Sequence, residues 1–418
     1  MTITEVNFQL KKLNSFFHSF WLWFFLGISF FGFSSPTLAG QGVWSNVGTS
    51  VGNYPVSSIL ISQNGTLYIG TGALGLGGRG VFRYNTTSNQ WENIVNNAGL
   101  TNTNVLSLVM DSTGRLYAGT EGGVFQYTPG AMQWQSVGGN LFVIDMNGFR
   151  LLLPPTFSSA TVSKLLIHPT TGRLYAAAHD IYRYNPATDQ WQKVGANYIR
   201  STSLSLDPSS GNFYTGFPGA PGSSLRPAIP GVVYEYNQNT SQWIPIANNI
   251  DNVNYLLNSS TGILYAGRGG ENRGGVYQYT PGTNLWQPIG LTTTHIFSLA
   301  FDASERLYAA TSLGVFQHTS STNQWQLLAN NLGITNPKIH SIAFDSSGKL
   351  YAGAEGGNVF EIQFAGCNNN NICDSWEEIN TCANDCGGAG NLGGRMSQLD
   401  GNGNNPASPS AGGCSLRQ

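Results

Sequence analysis

Asp111-Ser-Thr-Gly-Arg-Leu-Tyr-Ala-Gly-Thr-Glu-Gly-Gly-Val-Phe125 reads as two short strands with a turn before each. Asp111 to Gly114 is turn chemistry: an Asp side chain accepts from backbone amides two residues on, and glycine takes positive φ freely. Leu116-Tyr-Ala-Gly119 is one strand and Gly123-Val-Phe-Gln-Tyr127 an alternating one. Upstream, Val105-Leu-Ser-Leu-Val-Met110 is a mostly apolar inner strand, buried on both faces. Downstream, Thr128-Pro-Gly130 opens a turn and Trp134 begins a fourth strand. Four short antiparallel strands cannot bury two faces alone, so such a unit must stack on others like it.

The pattern recurs. Its tyrosines are Tyr68, Tyr117, Tyr175, Tyr214, Tyr265, Tyr308 and Tyr351, at a mean spacing of about 47 residues. The tryptophans that follow are Trp91, Trp134, Trp191, Trp243, Trp286 and Trp325, one fewer than the tyrosines. Trp44 precedes the first repeat, at an interval like those elsewhere. It is therefore assigned to the outer strand of a blade whose other strands come from the C-terminal end of the array. The prediction is an all-β fold: a seven-bladed β-propeller of four-stranded antiparallel blades over residues 40–366, closed by the N-terminal strand. The repeated Tyr and Trp residues are core between blades. Asp111, Asp207, Asp302 and Asp345 are turn formers.

The stretch from Asp111 to Phe125 resembles the two-component-regulator type of propeller repeat. Tyr184-Asn-Pro-Ala-Thr-Asp-Gln-Trp191 is similar to the end of a kelch repeat. The resemblance covers the whole array. It implies the propeller fold, and an extracellular sensing region as one functional expectation.

Composition narrows the partners. The 418 residues carry 19 Lys+Arg against 21 Asp+Glu, a net charge of −2, and so lack the basic surface that nucleic acid requires. Lys11 and Lys12 precede an apolar run from Phe16 to Phe33, and Thr37-Leu-Ala39 supplies small residues for cleavage after Ala39. Residues 1–39 read as a signal peptide. Retained as an anchor, the same run still places the rest of the chain outside the cytoplasm, secreted or at the cell surface. Cys367, Cys373, Cys382 and Cys386 crowd residues 367–387 while the mature propeller has no cysteine, which in an exported chain reads as two disulfides. This segment resembles a short Cys-rich motif of bacterial surface proteins. Asp374, Glu377 and Asp385 within it are residue types for Ca²⁺ and equally for a structural turn. No other cofactor or metal is expected. Residues 388–418 form a flexible Gly/Asn/Ser-rich tail. Membrane association is expected only if the N-terminal segment is uncleaved or Cys414 is lipidated. The propeller is expected to be a monomer.

Function is sought where the repeats differ. Insertions fall between second and third strands at Gly72–Gly80, Gly216–Gly231 and Gly267–Gly275, and a further one lies between Trp134 and Tyr175. In a propeller these loops and links share one face, and loops on a rigid scaffold collect binding residues. The candidates on that rim are Arg79, Arg226, Arg268, Glu271 and Arg273, with His179 and Asp180 at the matching place in blade 3. Guanidinium groups there suit a carboxylate or a sugar acid. The expected function is non-enzymatic binding of a protein or carbohydrate ligand. The alternatives are a glycosidase or polysaccharide lyase on the same ring, or an extracellular sensor region. No catalytic residues are assigned.

Overall fold

The computed structural model describes residues 43–138, 161–196, 199, 201–219, 231–247, 250–270, 273–331 and 333–363. Ala39, the segment 141–153, Arg226, Glu271 and all the cysteines lie outside the described residues.

The chain forms seven four-stranded antiparallel sheets. Blade 1 is Val56–Ile61, Leu67–Ala73, Gly77–Asn85 and Gln90–Asn93, and blades 2 to 6 follow in the same order. Blade 7 takes Ile339–Phe344, Leu350–Ala354 and Val359–Ile362 from the end of the array and Ser45–Asn46 from its start. Ser45 pairs with Glu361 and Asn46 with Phe360, and the Val47 amide adds a bond of 2.9 Å to the Val359 carbonyl. Trp44 is buried among Leu328, Ala329, Phe360 and Ile362. Ring closure by the N-terminal strand is thus as the tryptophan count predicts.

Several blades share the same internal contacts. In blades 2, 6 and 7 the Asp of the first turn caps that turn and reaches the tyrosine of its own blade. Asp302 Oδ1 accepts from the amides of Ser304 and Arg306 at 2.9 Å, while Oδ2 accepts from the Tyr308 hydroxyl at 3.2 Å. Asp111 and Asp345 repeat this with Tyr117 and Tyr351. On the outer strands, the indole Nε1 donates to a carbonyl of the preceding blade: Trp91 to Val47 at 2.8 Å, Trp191 to Val137 at 2.9 Å and Trp243 to Val194 at 2.8 Å. The same rings lie 5.1–5.3 Å from a third-strand tyrosine of their own blade. Geometry of that kind adds to the area that large aromatics bury.

The glycine in Leu-Tyr-x-Gly has a packing reason. A Cβ on Gly353 would stand 2.5 Å from Val56 Cγ1, and one on Gly70 would stand 2.6 Å from Val105 Cγ1. At these glycines the second strand lies against the inner strand of the next blade with no space for a side chain, and blades 3 and 6 carry the small Ala177 and Ala310 at the same register. This sets the blade spacing, and thereby the width of the central channel.

Trp44→Ala is expected to destabilise the ring by about 3–5 kcal/mol, the range for emptying a buried indole site. Urea unfolding followed by fluorescence checks this; an unchanged midpoint would refute closure through this strand.

Candidate functional site

The first strands of the seven blades line the axis, and the repeat makes their residues comparable. Where the strands enter from the insertion-bearing face, they read Val-Ser-Ser-Ile (56–59), Val-Leu-Ser-Leu (105–108), Val-Ser-Lys-Leu (162–165), Ser-Thr-Ser-Leu (201–204), Val-Asn-Tyr-Leu (253–256), Ile-Phe-Ser-Leu (296–299) and Ile-His-Ser-Ile (339–342). The ladders fix this alignment. Ser58, Ser107, Lys164, Ser203, Tyr255, Ser298 and Ser341 each pair with the Gly or Ala of the Leu-Tyr-x-Gly strand. The third position is therefore serine in five blades, lysine in blade 3 and tyrosine in blade 5.

The serines belong to the scaffold. The Leu165 amide donates to Ser107 Oγ at 3.0 Å, the Leu108 amide donates to Ser58 Oγ at 3.1 Å, and Ser341 Oγ donates to the Val56 carbonyl at 2.7 Å. Each bond joins two adjacent blades, the last across the closure. A buried hydroxyl needs such a partner.

The two exceptions meet. Lys164 Nζ donates to Tyr255 Oη at 3.3 Å and stands 4.6 Å from the centroid of that ring, so blades 3 and 5 touch across the channel. Burial raises the Tyr255 phenol, but the Lys164 ammonium outweighs it, with hydrogen bonds from Ser298 and Lys164, and holds it below the ordinary tyrosine value. Around them lies a cavity of about 200 Å³ lined by all seven first strands, at the second and third positions throughout and at the fourth in five blades. Lys164 is the only Lys or Arg among those lining residues. An ammonium in a cavity walled by hydroxyl groups attracts negative charge more strongly than one in bulk water.

The second position is reshaped by a β-bulge in blades 1, 2, 5, 6 and 7. A bulge re-aims a side chain and frees backbone groups. Ser57, Ser163 and Thr202 donate to carbonyls of their own second strands at 3.0, 3.1 and 3.2 Å. Asn254, Phe297 and His340, in consecutive blades, instead form one side of the channel mouth. Phe297 stacks on His295 at 4.1 Å between centroids and lies 4.4 Å from His340.

Glu355, in the second-to-third turn of blade 7, accepts from His340 Nε2 at 2.6 Å and pairs with Lys338 at 3.0 Å. Burial raises the Glu355 carboxyl, but the bonds from Lys338 and His340 prevail and hold it below its ordinary value. Burial depresses His340, and Glu355 opposes only part of that. The blade 5 insertion reaches this mouth through the Gly270 amide, which donates to His295 Nδ1 at 3.0 Å. With Nδ1 an acceptor, the neutral ring carries its proton on Nε2. The Asn254 side-chain amide lies 3.0 Å from His295 Nε2.

The rim residues are placed as follows. Arg79 is exposed, with Nη1 donating to the Val51 carbonyl at 2.9 Å. Arg268 lies with its guanidinium 5.1 Å from the Tyr277 ring centroid, pairs with Asp251 and donates to Tyr277 Oη at 2.7 Å. Arg273 is exposed at the turn. His179 is exposed at positive φ in the tight turn of blade 3, while Asp180 is buried and ion-paired with Lys193 at 2.8 Å. Arg79 Nη1, the Arg268 guanidinium and the Asp180 carboxylate are thus engaged within the propeller. The axial residues Lys164, Tyr255, Phe297 and His340 were not among the sequence candidates. Aligning the inner strands shows the signal: two departures from serine at one position.

Residues 99–122 match the family model described as Two component regulator propeller. No curated protein matches the sequence. Among solved structures, the chain is similar to the extracellular domain of BT4673 from B. thetaiotaomicron, described as a one component system, at TM-score 0.57 and 19% identity over 77% of this chain and 40% of that one. It is similar to the extracellular domain of BT3049 from the same organism, described as a hybrid two component system, at TM-score 0.58 and 16% identity over 78% and 42%. It thus spans less than half the length of either domain. It is also similar to YCF48 bound to D1 peptide, at TM-score 0.54 and 13% identity over 77% and 94%. These identities carry the fold.

Titrated by NMR, the His340 ring should protonate below the usual histidine value of about 6.5. Glu355→Gln should lower it further, because the carboxylate favours the charged ring. A value above the usual one, or an upward shift in the variant, would contradict this arrangement.

Proposed function

We propose that the propeller is an exported, non-enzymatic ligand-binding module whose axial cavity takes a small polar ligand by an acidic group, with sugar acids as the fitting class. The carrying observation is the pair Lys164–Tyr255, which replaces scaffold serines at two of seven equivalent positions and sits in the hydroxyl-lined cavity. The ammonium offers a charge-assisted donor to a carboxylate. The hydroxyl groups suit the ring of a sugar. The residues lining the cavity include no Asp or Glu, and glycoside hydrolysis ordinarily uses two carboxyl groups.

A sensing region is the second reading. It is supported by the match of residues 99–122 to two-component-regulator propellers and by the similarity to extracellular domains of such systems. The two readings are compatible, since a sensor needs a ligand site. Export rests on the N-terminal sequence, and no helix among the described residues is long and apolar enough to cross a membrane.

Isothermal titration with galacturonate and galactose tests the reading. The acid should bind more tightly than the neutral sugar. Lys164→Ala should weaken it by about 1.5–3 kcal/mol, the range for a hydrogen bond to a charged group, with the melting temperature retained. Equal binding of both sugars, or an unaffected variant, would sink it.

A further inference from the structure

Blade 3 departs from its sisters a second time, away from the axis. The turns joining first to second and third to fourth strands project from the end of the ring opposite the insertions. There a cavity of about 520 Å³ opens between blades 2 and 3, lined in part by Asp111, Arg115, Arg173, Arg183, Tyr184 and Gln192. The volume is typical of small-molecule sites.

Sister blades show what these arginines lack. The residue before the second strand is a cation in blades 2, 3, 6 and 7: Arg115, Arg173, Arg306 and Lys349. In three of them an acid neutralises it. Arg115 pairs with Asp111 at 2.8 Å, Arg306 with Asp302 at 2.6 Å and Lys349 with Glu361 at 3.1 Å. In blade 3 the turn aspartate is replaced by His168, and exposed Arg173 has no ion pair among the described residues. The third strand repeats the contrast. Arg83 and Arg183 face equivalent tyrosines, Tyr68 and Tyr175. Arg83 pairs with Glu92 at 3.1 Å, whereas the cross-strand partner of Arg183 is the neutral Gln192, at 2.9 Å. Within the groove, Arg115 and Asp111 cancel, and the guanidinium groups of Arg173 and Arg183 pair with no carboxylate among the described residues.

We propose that this groove binds a small polycarboxylate, whose carboxylates take at Arg173 and Arg183 the places that Asp and Glu side chains fill in the sister blades. A guanidinium fork matches a carboxylate in two parallel hydrogen bonds. The sister pairs, at 2.6–3.1 Å, show that this register of the blade accommodates such bonds. The site is separate from the axial cavity and lies toward the other end of the ring.

Tricarballylate, titrated calorimetrically into the full chain at low ionic strength, is the probe, with inorganic phosphate as comparator. It should bind at one site and more tightly than phosphate. Arg173→Gln with Arg183→Gln should weaken it at least about tenfold, the scale of losing charge-assisted bonds. His168→Asp with Gln192→Glu, which restores both missing acids, should weaken it by a similar factor while the melting temperature is kept or raised. Lys164→Ala should leave it unchanged, and the arginine variants should leave galacturonate binding unchanged, so the two sites fail separately. The proposal is overturned if tricarballylate does not bind, if either double variant binds it as the parent does, if phosphate binds as tightly, or if Lys164→Ala abolishes it.

Discussion

Ser45 and Asn46 pair with Glu361 and Phe360, and Trp44 fills the space beside them. This short ladder joins the start of the propeller to its end and removes the open edge that a stack of sheets otherwise presents. Its consequence reaches the axis. Once the ring is closed, seven first strands must converge, and they converge tightly because glycine or alanine in each second strand leaves no space against the next blade. Hydroxyl groups at one register then bridge neighbouring strands, as Ser341 does to Val56 across the closure itself. The cavity exists because this packing stops short of the axis.

Repetition separates scaffold from site. A side chain that recurs blade after blade in the same hydrogen bond is holding the ring together, as the turn aspartates do when they reach Tyr117, Tyr308 and Tyr351. A side chain that breaks the series carries no such duty there. Lys164 and Tyr255 break it at one position and find each other across the channel. Arg173 and Arg183 keep the cations of the series while the acids opposite them are replaced. In both cases the chain has placed positive charge where the repeat would have left a neutral or balanced position, and charge of that kind is what an anionic ligand responds to.

Two of the rim arginines are held within the propeller. Arg268 ends the second strand at the edge of an insertion, yet its donors go to Asp251 and Tyr277. Arg79 reaches back to Val51, in the segment that closes the ring. An arginine in a glycine-rich loop has several nearby carbonyls and carboxylates to choose from. Sequence position does not say whether it will turn outward or brace the loop. The rim nonetheless meets the axial site, since Gly270 of the blade 5 insertion donates to His295 at the channel mouth.

The sequence by itself determined the ring: the Tyr and Trp spacing counted the blades, and the unmatched Trp44 located the closing strand. Those signals are local and repeated, because every blade solves the same packing problem with the same residues. The axial pairing was decided by the tertiary structure. Lys164 and Tyr255 are about ninety residues apart, in blades that are not neighbours, and each alone looks like an ordinary interruption of a strand. Only convergence of the first strands brings the ammonium to the phenol, and only the shared sheet register shows that both replace serine. A repeat is legible from its period, whereas a site made from its exceptions becomes legible when the ring brings those exceptions together.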